Sequence, residues 1–133
     1  MSDHIKAMIE AARLVRENAH APYSLFHVGA ALLDETGRIH AGCNVENAAY
    51  PQGLCAEAGA LAQLVAAGGK RVEAVVIVGV GPRLTTPCGG CRQKLREFAA
   101  DDTPVVVADM QQVRARFTLG DLLPHSFGPE HLP

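Results

Sequence analysis

Apolar residues at positions 5, 8, 9, 12 and 15 recur at helical spacing, which predicts a first amphipathic helix over residues 3–18. Residues 21–24, with Pro22 among them, end it. Residues 28–33 then read as a strand, 34–37 as a turn closed by Gly37, and 38–44 as the antiparallel partner. A second helix is expected over 55–67, where Ala60, Leu61, Leu64 and Val65 supply an apolar face and Gly68 and Gly69 supply the stop. The valine-rich run at 74–80 is continuously apolar, as expected for a central parallel strand buried on both faces. Cys91, Leu95 and Phe98 return to helical spacing after the proline and glycines of 87–90. Residues 105–108 read as another buried strand and 114–118 as a short edge strand. Strand and helix alternate in the second half, so the expected fold class is α/β, with a mixed sheet covered on both sides.

A chain of 133 residues is too short for two separate cores, so residues 1–133 are expected to form one domain. A hydrophobic content of 48% is enough to fill that core. The formal charge of −2 offers no basic footprint for a polyanion, which makes nucleic acid polymers and anionic membranes poor partners. A small neutral substrate fits better. The first 18 residues carry charges throughout and lack the apolar core of a signal peptide, and no apolar run approaches a membrane span. A cytoplasmic location is therefore expected, where thiols stay reduced and four cysteines suggest metal binding or catalysis before disulfides.

Two segments concentrate the chemistry: Cys55-Ala56-Glu57 and Pro87-Cys88-Gly89-Gly90-Cys91. Each sits where a loop should feed a helix, and a helix start presents free N–H groups and a positive dipole end that favour thiolate over thiol. Three thiolates fill three corners of a tetrahedral zinc site and leave the fourth for water, whose pKa the metal lowers. Glu57, two residues beyond Cys55, is close enough to face the site without ligating. The competing reading is a structural zinc module closed by a fourth ligand, either Cys43 or one of the six histidines. No histidine lies near either segment, and His40, on a strand, reads as a surface residue.

These motifs resemble those of the zinc-dependent cytidine deaminases, whose signature pairs a ligand-x-Glu with a Pro-Cys-x-x-Cys. The resemblance extends through Tyr23–Leu32, through Gly42–Pro51 and into the tail Leu122–Pro129, and so covers nearly the whole chain. The most similar group is the small, three-cysteine, homotetrameric deaminases. The resemblance implies a three-layer α/β/α sandwich on a mixed, mostly five-stranded sheet. It also implies one Zn²⁺ per subunit and active sites shared between subunits. The reaction implied is hydrolytic deamination of cytidine and 2′-deoxycytidine in pyrimidine salvage, with Cys55, Cys88 and Cys91 as ligands.

On this reading Glu57 serves as both base and acid, moving protons between water, N3 and the leaving ammonia. Asn44 and Glu46 alternate on an extended segment, so both side chains can point to one side, and the resemblance assigns them to ribose hydroxyls. Phe26 and Phe127 resemble the residues that sandwich the base, Phe127 reaching in from a neighbouring subunit. Tyr50 supports the shared site, Ala56 contacts substrate, and the Pro87 carbonyl with the Cys88 N–H orients the reacting groups.

One position departs from the pattern. Where family members of this size usually read Cys-Ala-Glu-Arg, this chain has Ala58. Zinc with three thiolates carries a net charge of about −1, which opposes ionisation of bound water. The family's arginine offsets that excess by hydrogen bonds to sulfur. Here helix dipoles, backbone N–H···S bonds and Arg92 are the candidates for compensation. The altered residue also leaves open a related substrate, such as a modified cytidine or a blasticidin-like nucleoside.

Overall fold

The computed structural model describes residues 2–133. The elements are α1 (Asp3–Arg16), β1 (Gly29–Asp34), β2 (Ile39–Cys43), α2 (Ala56–Ala66), β3 (Val72–Val78), α3 (Gly89–Arg96), β4 (Pro104–Ala108), β5 (Val113–Thr118) and α4 (Leu119–Leu122). The strands form one mixed sheet in the order β2-β1-β3-β4-β5. Only β3 and β4 run parallel; the other three pairings are antiparallel. The valine-rich strand is therefore central as expected, but parallel on one side only.

Three layers result. On one face Met8, Ile9 and Ala12 of α1 pack on Ala31, Leu33, Val76 and Val78. On the other, Ala60, Leu61 and Leu64 of α2 and Leu95 of α3 pack on Ala30, Leu32, Val75 and Ile77. Alternate residues of β1 and β3 thus serve opposite faces, which is why both strands read as unbroken apolar runs. α1 begins under a Ser2 cap that accepts from the Ile5 N–H at 3.2 Å, and it ends two residues before the predicted 18. Gly68, at φ +93°, stops α2 in the left-handed conformation that glycine adopts freely.

Gly42 of β2 lets α2 approach the sheet closely. A Cβ there would lie 2.3 Å from the Ala60 nitrogen and 2.7 Å from the Ala56 oxygen. This contact sets the height of the start of α2 above the sheet, and with it the chemistry described below.

His40 is not the surface residue its strand position suggested. Its side chain is 10% exposed, with Nε2 2.8 Å from Oδ2 of Asp34. Asp34 ends β1 fully buried and also accepts from Thr36, from the Arg38 N–H and from Arg38 Nε. Burial alone would raise its pKa, but the bonds from His40, Thr36 and Arg38 outweigh it and hold the carboxyl well below the ordinary range. α4, which the periodicity did not predict, opens with a capping box between Thr118 and Asp121.

Candidate metal centre and catalytic cavity

Cys55 and Cys88 are the N-caps of α2 and α3, both in extended conformation, and Cys91 lies on the first turn of α3. The two helix starts converge, and the three Sγ atoms lie within 4.8 Å of one another. The Cys55 and Cys88 sulfurs are 3.9 Å apart. Tetrahedral zinc with Zn–S bonds of about 2.3 Å separates its sulfurs by about 3.8 Å, so the geometry fits that ion. Among the described residues no fourth His, Cys, Asp or Glu joins the group, and Cys43 lies apart on β2. The set is therefore one ligand short of a closed structural site and suits a metal with an open position.

The thiols are not uniform. Burial pushes those of Cys55 and Cys91 up, whereas a hydrogen bond from the Cys91 N–H lowers that of Cys88. Thiols of this kind ionise when a metal replaces the proton, which ties occupancy to pH. Glu57 sits on the first turn of α2, 5% exposed. Burial raises its pKa, opposed by its own backbone hydrogen bond and by the charge of Lys94. A carboxyl so placed holds its proton more tightly than an exposed glutamate does.

These groups line a cavity of about 230 Å³ that includes Cys55, Ala56, Glu57 and Cys88, with Phe26 and Asn44 opposite. The volume suits a small ring rather than a drug-sized ligand. Thr85 and Thr86 also line it. They were not singled out from the sequence, although they immediately precede the Pro87-Cys88 segment. Asn44 clamps the loop above, accepting from the Val28 N–H at 2.9 Å and donating to the Phe26 carbonyl at 2.8 Å.

Glu46 reaches the same loop but lines a separate cavity of about 350 Å³, with Tyr50 and Tyr23 in its wall. Its carboxylate accepts from the N–H groups of Tyr23 and Ser24 and from the Ser24 hydroxyl. Those bonds lower its pKa, that from the Ser24 hydroxyl contributing most. Tyr50 is exposed and packs its ring against Tyr23 at 5.8 Å. Asn44 and Glu46 thus both reach residues 23–28, as alternation on an extended segment suggests, without sharing a cavity.

Phe127 does not line the cysteine cavity within the chain. It is 55% exposed, and its ring stacks on His131 at 4.8 Å. Gln93 holds its carbonyl at 2.9 Å, and Arg96 binds Ser126 and Glu130, so the tail is tied to α3. Arg92 donates to the Pro87 carbonyl at 2.6 Å, the Leu122 carbonyl at 2.7 Å and the Thr86 hydroxyl at 3.0 Å. The hydrogen bonds of its guanidinium go to oxygen rather than sulfur, which brace the loop before Cys88. Of the compensation candidates, the N–H···S bond is present between Cys91 and Cys88.

Comparison with known proteins agrees with this geometry. The family model for the cytidine and deoxycytidylate deaminase zinc-binding region matches residues 1–108. The chain is 38% identical over 128 residues to the cytidine deaminase of Sporosarcina psychrophila, covering 96% of this chain and 94% of that one. Its identity to the cytidine deaminase of Mycobacterium tuberculosis is 44% over 115 residues, 86% of this chain and 83% of that one. The crystal structure of cytidine deaminase from Burkholderia pseudomallei superposes with a TM-score of 0.86 at 45% identity, covering 96% of this chain and all of that one.

Proposed function

This chain belongs to the cytidine and deoxycytidylate deaminase zinc-binding family, and we propose that it converts cytidine and 2′-deoxycytidine, with water, to the uridines and ammonia. The observation that carries the reading is the buried Glu57 beside a three-sulfur cluster with an open position. Cys55, Cys88 and Cys91 would hold zinc, the cofactor of this family, which would supply a Lewis-acid centre and lower the pKa of water.

The chain's own residues do the rest. Glu57 accepts the first proton of the attacking water and passes it to N3 of the pyrimidine, then takes the proton of the new hydroxyl on C4 and gives it to the departing amino nitrogen. Its burial raises its pKa and so makes it a stronger base than an exposed glutamate for this proton. Phe26 presents a ring to one face of the base, and Ala56 packs at the floor of the cavity. The Pro87 carbonyl, fixed by Arg92, keeps a second lone pair for the amino group, and the Cys88 N–H faces the developing oxygen.

Asn44 and Glu46 read the ribose hydroxyls, Glu46 exchanging its bond to Ser24 for one to substrate. Tyr50 and Phe127 complete the site across subunits of a homotetramer, Phe127 covering the base of a neighbour. The exposure of both rings in the single chain supports that arrangement. A cytoplasmic enzyme of one domain over residues 1–133 is the setting; no helix of the described residues is long and apolar enough to cross a membrane.

A substrate panel with ammonia detection tests this. Cytidine and deoxycytidine should each release one ammonia, while free cytosine, which lacks a sugar, reacts far more slowly. Release from a modified nucleoside alone would replace the substrate assignment. Zinc-loaded protein that frees no ammonia from any nucleoside would overturn the enzymatic reading.

A further inference from the structure

Zinc at Cys55, Cys88 and Cys91 leaves one uncompensated negative charge, and the buried Glu57 adds a carboxyl beside it. Two helix starts offset part of this, each equivalent to roughly half a charge. Position 58 offers only a methyl group. Among the described residues, α3 carries three cations, and two of them are committed elsewhere. Arg92 binds Pro87, Leu122 and Thr86, and Arg96 binds Ser126 and Glu130.

Among the described residues, the Lys94 ammonium has no such hydrogen-bond partner. A helical side chain leans back toward the N-terminus and covers the residue four positions earlier. For Lys94 that residue is Gly90, which has no Cβ to block the path and lies between two of the metal ligands. The Lys94 Nζ accordingly lies 3.8 Å from the point a Cβ on Gly90 would occupy. Its charge also reaches Glu57, where it opposes the effect of burial.

We propose that Lys94 is the positioning residue that balances the charge of the metal site, its ammonium held over the Cys88-Gly89-Gly90-Cys91 turn. The assignment rests on zinc occupying the three cysteines. It is electrostatic and solvent-facing rather than a direct bond to sulfur, so it is sensitive to salt, the screening length falling from about 14 Å at 0.05 M to about 4 Å at 0.5 M.

The test is zinc affinity, read by competition with a chromogenic chelator at fixed pH on the full chain. Lys94→Met should weaken zinc binding three- to tenfold, while Lys94→Arg stays within twofold of wild type. Raising sodium chloride over that range should weaken the native protein's affinity more than that of K94M, a reading that needs only a folded variant. Lys94 is exposed, so both variants should melt with wild type. Equal affinities for wild type and K94M, or a loss in K94R as large as in K94M, would overturn the proposal. A wild-type protein without one zinc per chain would instead remove the metal site, and this assignment with it.

Discussion

Replacing Gly42 with alanine should damage stability and chemistry together. The added Cβ would sit 2.3 Å from the Ala60 nitrogen and 2.7 Å from the Ala56 oxygen, both backbone atoms of α2. No rotamer change relieves a backbone contact, so β2 and α2 must part by about 1 Å to reach ordinary van der Waals distance. Overpacking of this kind costs about 1–3 kcal/mol. For a chain of this size that lowers Tm by about 4–12 °C. Ala56 lies between Cys55 and Glu57, so the shift carries the Cys55 sulfur and the Glu57 carboxyl away from α3. A misplacement near 1 Å costs on the order of 10²-fold in rate. Calorimetry and kcat/KM for cytidine on the zinc-loaded variant read both effects. Gly89→Ala is the control for melting, because nothing lies within 4 Å of its would-be Cβ. A G42A protein that melts within 2 °C of wild type and turns over normally would refute the argument.

Phe127→Ala should lower kcat/KM about 5- to 150-fold, the value of one base–aromatic stacking contact, with Tm nearly unchanged because the ring is exposed. Asp34→Asn should destabilise the protein at pH 7 and least at low pH. A carboxyl held below its unfolded pKa of about 3.9 stabilises above that pH and loses the contribution as pH falls through the folded value. The Tm gap between wild type and D34N should therefore narrow from pH 6 to pH 3, and a constant gap would contradict the assignment. Arg92→Gln should lower Tm by several degrees while keeping one zinc per chain at saturating metal, because its bonds go to oxygens that brace the Cys88 loop. Loss of zinc with an unchanged Tm would return Arg92 to the sulfurs.

The strands were legible because burial on both faces leaves a plain record, β1 and β3 being continuous apolar runs, whereas their order in the sheet was not read from the sequence. The parallel assignment of the central strand was half right, since pairing direction depends on chain connections that apolarity does not encode. Helix ends were off by one or two residues, as with the end of α1 at Arg16. The metal ligands were legible because spacing and helix starts constrain them locally. His40 was misread because its neighbour across the turn, Asp34, makes a buried partner that strand position alone conceals. The separate cavities of Asn44 and Glu46, and the acceptors of Arg92, depend on loops meeting in space. Phe127 was marked by its resemblance to a base-covering residue, and in the single chain it is exposed and lies outside the cysteine cavity.

The most direct test of the central claim is Glu57→Gln, measured for metal and turnover on one preparation. Because Glu57 is buried beside the three sulfurs without being one of the ligands, E57Q should hold one zinc per chain and melt at or above the wild-type temperature. Its release of ammonia from cytidine should fall by about 10²–10⁴-fold, the usual worth of a positioned proton carrier. A zinc-loaded E57Q that deaminates cytidine at the wild-type rate would contradict the account.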